Sequence, residues 1–151
     1  MSLQRLSLED LLELDNVNLD RYTENFEISF YLFFMEEFPD LCLLYKDHRH
    51  AGYLLARLKV ECGVLMGHLA FLSVGSNFRG TGIAQRLMEG YENTVVNGYN
   101  AKLAALYVRP SNKHAINFYA NIGYTVYRTM PEYYTGSSPE DGYEMRKDLA
   151  R

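Results

Sequence analysis

The chain has 151 residues, 48% of them apolar and 23% charged, the proportions of a soluble globular domain able to bury about 70% of its unfolded surface. Four Pro and eleven Gly exclude a low-complexity or collagen-like chain, and a net charge of −4 leaves no basic surplus for duplex nucleic acid beyond a local patch. Cys42 and Cys62 are too few for a disulfide framework and lack CxxC spacing; both read as reduced residues on strands of a cytosolic protein.

The first ten residues lack the apolar stretch of a signal peptide, and the longest apolar run, Ser29–Met35, is far short of the ~20 residues a spanning helix needs. Leu3–Leu6 predicts a short strand. Ser7 and Asp10 resemble a capping box, and Leu8, Leu11, Leu12 and Leu14 give the following helix an apolar stripe ending near Asn16–Asn18. Asp20–Asn25 is a polar connection, and a second helix runs from about Ile28 to Phe38, stopped by Pro39. Its Phe30–Met35 stretch is apolar nearly all round, so it is either buried wholly within the fold or faces something outside the domain. Leu41–Tyr45, Gly52–Val60 and Val64–Val74 read as strands, with the Asp47–Ala51 turn between the first two. Gly75–Gly82 is a glycine-rich loop; a helix then starts at Ile83, carries Leu87, Met88, Tyr91 and Val95, and ends at Asn97–Asn100. Lys102–Val108 is an apolar strand, Ser111 caps a short helix through Asn121 with Gly123 just past its end, and Tyr124–Met130 and Tyr143–Leu149 are late strands joined by the Pro131–Gly142 loop. With no repeat and no linker, residues 1–151 read as a single domain of α/β (α+β mixed-sheet) class, about seven strands and about four helices, in which Val64–Val108 forms a parallel, right-handed crossover.

Two segments carry chemistry. In Arg79-Gly80-Thr81-Gly82-Ile83-Ala84, glycines between a strand and a helix expose successive N–H groups at the helix's positive end, a pyrophosphate site unless it is a plain turn. In Ser111-Asn112-Lys113-His114-Ala115-Ile116-Asn117-Phe118-Tyr119, Tyr119 lies one turn beyond Ala115. It is either a core tyrosine or a donor of its phenolic proton to a leaving group. His48 and His50, on the hairpin at Asp47–Ala51, lack a third or fourth ligand and read as solvated rather than metal-binding, so no metal is expected.

Together the two segments resemble the GCN5-related acetyltransferases (GNAT). Arg79, Gly82 and Ala84 match that family's coenzyme loop; Asn112 and Tyr119 match its later helix. Asn16-Asn18-Leu19-Asp20, Tyr124–Thr129, Glu132-Tyr133-Tyr134 and Tyr143–Lys147 further resemble the catalytic subunits of N-terminal acetyltransferase B (NatB), over Leu3 to Arg151. The resemblance implies acetyl-CoA in a gap between the strands ending at Val74 and Val108, contacted by Leu72, Val74, Arg79, Gly80, Thr81, Gly82, Ile83, Ala84, Asn112, Asn117 and Tyr119. It implies a substrate amine on chains beginning Met-Asp, Met-Glu, Met-Asn or Met-Gln, with Glu24 and Phe26 lining the methionine, Tyr133 and Tyr134 holding the peptide backbone, and His68 reading the second side chain unless it is a core histidine. Tyr119, Asn112 and His68 are the catalytic candidates, and a backbone N–H near Val74 polarises the thioester. Partners implied are the nascent N-terminus and a larger helical-repeat auxiliary subunit at the ribosome, in the cytoplasm, with neither nucleic acid nor membrane bound directly. Where the family often has a second arginine this chain has Gly80, and where it has a substrate-reading threonine this chain has Ala70. The alternatives are a related acetyltransferase for another N-terminal class, lysine or a small amine, and a non-catalytic acetyl-CoA-binding subunit.

Overall fold

The computed structural model describes residues 2–11, 13 and 28–149. In chain order these form β1 (Ser2–Arg5), α1 (Leu8–Leu11), α2 (Ile28–Glu37), β2 (Cys42–Asp47), β3 (Arg49–Glu61), β4 (Val64–Val74), α3 (Ile83–Tyr99), β5 (Leu103–Val108), α4 (Lys113–Asn121), β6 (Thr125–Tyr134) and β7 (Glu140–Asp148). The strands make one sheet of seven, in the order β1-β2-β3-β4-β5-β7-β6. Among the described strands only β4 and β5 pair in parallel, joined through α3 as the sequence predicts.

Alternation along the strands assigns each side chain to one face of the sheet. Leu43, Tyr45, Leu54 and Ala56 meet the α3 stripe of Ile83, Leu87, Met88, Tyr91 and Val95. Their neighbours Cys42, Leu44, Tyr53 and Leu55 meet Tyr31 and Phe34 of α2 on the opposite face. In α2, Ile28, Leu32 and Phe33 point outward at 57%, 39% and 53% exposure, so the helix is not buried wholly within the fold.

Two irregularities shape the centre. Leu55 faces Phe71 and Ala56 faces Leu69, leaving Ala70 the extra residue of a bulge in β4. Parallel pairing then covers only Gly67↔Ala104, His68↔Ala105 and Leu69↔Leu106. Beyond that point β4 stays on β3 as far as Val74↔Gly52, while β5 stays on β7 as far as Val108↔Tyr143. The sheet is therefore split into two halves by a wedge at the carboxyl ends of its parallel strands.

Local readings needed correction at several points. The hairpin between β2 and β3 turns at His48 (φ 54°), and His50 is buried, not solvated: its Nε2 lies 2.9 Å from Asp10 Oδ1. Cys62 is not on a strand; with Gly63 it makes the next hairpin turn at φ 52° and 77°. Asn112, not Ser111, caps α4, accepting from Ala115 N at 3.1 Å. Gly98 lies within α3, which ends at Asn100 (φ 55°). β6 continues through Pro131 to Tyr134 across a bulge, so the expected Pro131–Gly142 loop shrinks to residues 135–139. The Ser7–Asp10 capping box forms reciprocally, Ser7 N to Asp10 Oδ2 at 2.9 Å and Asp10 N to Ser7 Oγ at 3.2 Å. The rest of the first predicted helix, the Asp20–Asn25 connection, Glu24 and Phe26 lie outside the described residues.

Candidate active site

The wedge is lined on the β4 side by Leu72 and Val74, both half-buried against the α3 core. Main-chain N–H groups of residues 70–74 that do not face β3 open onto it, because β5 no longer pairs there. Past Val74 the chain makes a 3-10 turn at Ser76–Phe78 and enters α3 through Gly80 and Gly82, at φ 76° and 83°. A Cβ at either glycine would meet nothing within 4 Å, so these glycines serve backbone conformation and an open surface, not packing. Gly82 caps α3 with no side-chain bond, and the first turn carries no acidic residue. Its N–H donors and positive dipole end are thus left for an anion, and a diphosphate fits. Ile83, 2% exposed, pins this helix start to the sheet. Thr81 donates its hydroxyl to the Phe78 carbonyl, exposed Arg79 turns its Nε to Val74 O at 3.3 Å, and Ala84 is half-buried.

On the β5 side α4 starts at the same end of the sheet. Asn112 uses its side-chain oxygen as the cap, Asn117 is exposed, and Tyr119 is half-buried, edge-on to Phe118 and Tyr124 at 5.3 and 5.9 Å. Burial and the nearby Tyr134 push the Tyr119 hydroxyl above the ordinary phenol range, so it stays protonated, as an acid must before it acts. Sequence reasoning missed what holds this corner. Glu140 accepts from Ser111 N at 2.7 Å and Ser111 Oγ at 2.8 Å, while Arg109 donates to Ser138 O at 2.9 Å and lies 4.2 Å over the Tyr134 ring. These contacts clamp the β6–β7 loop to the start of α4.

The face opposite α3 carries an aromatic run. His68 lies 4.7 Å from Tyr107, Tyr107 lies 4.7 Å from Tyr133, and Tyr133 meets Tyr134 edge-on at 4.9 Å. Tyr133 is thrown onto this face by Glu132 (φ 52°), whose N–H donates to Asp141 at 2.8 Å. Gly142 makes room, since its Cβ would come within 2.9 Å of Tyr133. His68 is 4% exposed, its Nε2 has no hydrogen-bond partner among the described residues, and burial, then Arg57 and Lys59, depress its pKa to about 4. A buried neutral imidazole with a spare polar atom thus lies beside Tyr107, a residue the sequence reading overlooked. Its only signal was its place on β5, two residues past the Ala105 that pairs with His68. Among the described residues no three His, Cys, Asp or Glu side chains cluster as metal ligands.

Residues 6–124 match the sequence profile of the acetyltransferase (GNAT) family. The N-terminal acetyltransferase B complex catalytic subunit naa20 of Schizosaccharomyces pombe is 36% identical over 154 residues, covering 98% of this chain and 85% of its own. The Arabidopsis thaliana N-terminal acetyltransferase A complex catalytic subunit NAA10 is 33% identical over 150 residues, covering 97% of this chain and 77% of its own. The crystal structure of Chaetomium thermophilum Naa20 in complex with a bisubstrate analogue has a TM-score of 0.89 and 31% identity, covering 99% of this chain and 87% of that one. The NatB acetyltransferase complex bound to CoA and MES gives 0.90 and 29%, covering 99% and 100%. With a profile spanning well over half its length and a relative above 30% identity matched almost end to end, the chain belongs to the acetyltransferase (GNAT) family.

Proposed function

We propose that this chain, acting as one domain, transfers acetyl from acetyl-CoA to the α-amine of the initiator methionine of chains beginning Met-Asp, Met-Glu, Met-Asn or Met-Gln. The observation that carries the reading is the wedge at Leu69/Leu106, with an uncapped, glycine-lined helix start on one side and the His68–Tyr107–Tyr133–Tyr134 face on the other. Acetyl-CoA lies in the wedge with its diphosphate on the Gly80–Ile83 amides and its thioester carbonyl against a main-chain N–H near Val74.

The amine attacks that carbonyl, the C–S bond breaks, and Tyr119 gives its proton to the departing sulfur while the ammonium formed loses one to water. An α-amine is about a tenth neutral at pH 7, a shortfall of only about 1 kcal/mol, so no strong base is required. His68, with a pKa of about 4, lies some four decades below the amine, and abstraction through it would cost about 5 kcal/mol. It therefore binds the second side chain rather than taking the proton. Asn112 holds the start of α4, and through it Tyr119. Tyr133 and Tyr134, with Glu24 and Phe26, hold the first residues of the peptide.

The outward face of α2, Ile28, Leu32 and Phe33, fits the larger auxiliary subunit of a NatB-type complex working on nascent chains at the cytoplasmic ribosome. No helix among the described residues is long and apolar enough to cross a membrane. The test is a peptide panel, Met-Asp, Met-Asn, Met-Leu, Ser-Gly and a lysine peptide, with and without the auxiliary subunit. Preference for Met-Asp and Met-Asn supports the proposal; preference for Ser-Gly or the lysine peptide favours an acetyltransferase for another N-terminal class or for lysine, and coenzyme binding without turnover favours a non-catalytic subunit.

A further inference from the structure

The face that carries His68 also carries a cation with no carboxylate partner among the described residues. Arg57 is directly opposite His68 in the β3–β4 ladder, so both side chains project to the same side. Arg57 is half-buried, yet it has no hydrogen bond or carboxylate partner among the described residues. Two residues on, Lys59 is held over the same patch, its Nζ 3.2 Å from Tyr107 Oη and 5.7 Å from the ring centre, with Glu61 at 3.6 Å. Glu61 and Glu144 are already engaged by Arg128 and Arg146. Among the described residues the patch thus holds Arg57, Lys59, Arg128 and Arg146 against two carboxylates, a local positive surplus in a chain of net charge −4.

A half-buried guanidinium without a counter-charge is costly in the free protein and is relieved by an incoming anion. We infer that Arg57, supported by Lys59, is a specificity-determining residue that makes the enzyme favour an ionised carboxylate over the isosteric amide at the second position of its peptide. The inference rests on the reading of His68 as the second-position contact. His68 itself cannot make this distinction by charge, because a neutral imidazole offers a hydrogen bond to carboxylate and amide alike. A cation beside it can, and a charge-assisted hydrogen bond is about twice as strong as a neutral one.

The test uses the full chain, with its auxiliary subunit, and two CoA–peptide conjugates differing only in Asp or Asn at the second peptide position. Binding is measured by calorimetry from low to moderate salt. The expected result is that the Asp conjugate binds about tenfold tighter at low salt and that this advantage narrows, without vanishing, as salt rises. Arg57→Gln and Lys59→Gln each bring the ratio toward one, while Arg57→Lys retains it. Should Arg57→Gln fail to fold, the salt series on the unaltered enzyme and Lys59→Gln still decide the matter. Equal affinity for the two conjugates, both well above CoA alone, overturns the role of Arg57 and leaves the proposed function standing. Conjugates that bind no better than CoA alone overturn both.

Discussion

The neutral, buried state of His68 has a measurable thermodynamic consequence. In the unfolded chain its imidazole takes a proton near the ordinary pKa of 6.5; in the folded protein it does so only near 4. Between those values the unfolded state binds more protons, so stability falls as pH drops through this window and is unaffected by His68 above it. The gap corresponds to about 3 kcal/mol lost by pH 4, of which about 2 kcal/mol has gone by pH 5. The check is urea denaturation of the parent and of His68→Gln at pH 7.5, 6, 5 and 4.5, read by circular dichroism. Carboxylates such as Asp10 titrate in both proteins and cancel in the comparison. The parent should lose about 2 kcal/mol more than the variant between pH 7.5 and 5, whatever their difference at pH 7.5. Parallel pH profiles, or an imidazole resonance titrating near 6.5, would show that the ring is hydrated or paired and would remove the reason for treating it as a permanently neutral contact.

Four further outcomes follow from named contacts. Tyr119→Phe should lower kcat by about 10²–10⁴ with a smaller change in the KM for acetyl-CoA; retained kcat would place the acid elsewhere. Gly82→Ala should raise the KM for acetyl-CoA about tenfold, since φ 83° strains any other residue and its methyl enters the cradle. Gly63→Ala, at φ 77° and equally open in a hairpin, should cost similar stability without touching that KM, as paired steady-state kinetics and melting curves will show. Asp10→Ala removes the carboxylate that accepts from Ser7 in the α1 capping box and lies 2.9 Å from buried His50, at about 2 kcal/mol, seen as a fall of about 4–8 °C in Tm. Phe33→Asp, at a 53% exposed site, should leave the isolated chain within about 0.5 kcal/mol while abolishing co-purification with the auxiliary subunit.

What was legible in the sequence was local. The glycines of Arg79–Ala84 announce their positive φ because few other residues adopt it, and the Ser7–Asp10 box and the α3 stripe follow from spacing alone. The Cys62-Gly63 turn was equally local and was overlooked, although a two-residue turn ending in glycine between apolar strands is the usual hairpin signal. His50 was another matter: its burial depends on Asp10, forty positions away, and no periodicity within Asp47–Ala51 reports that. The wedge likewise has no signature of its own. It depends on where β4 and β5 stop pairing, a property of two strands separated by a 17-residue helix.

The bulge at Ala70 joins these levels. Before it, Leu65 and Leu69 pack toward α3; after it, Leu72 and Val74 do, so one extra residue shifts the alternation and keeps the apolar face of β4 on the core through the point where β5 departs. Without that shift Leu72 and Val74 would turn to the face of His68, and Phe71 would lose its stacking on Tyr53 at 5.5 Å. Ala70 itself carries no core packing: it is exposed and unpaired, at the mouth of the wedge. The hydroxyl that the NatB resemblance places here can therefore be absent at little cost to the fold. A hydroxyl serves carboxylates and amides equally, through its lone pairs and its proton. On the proposed roles of His68 and Arg57, Ala70→Thr should accordingly raise kcat/KM for Met-Asp and Met-Asn by similar factors and leave their ratio unchanged. A marked change in that ratio would mean that the choice between carboxylate and amide is made at position 70 and not by the charge opposite His68.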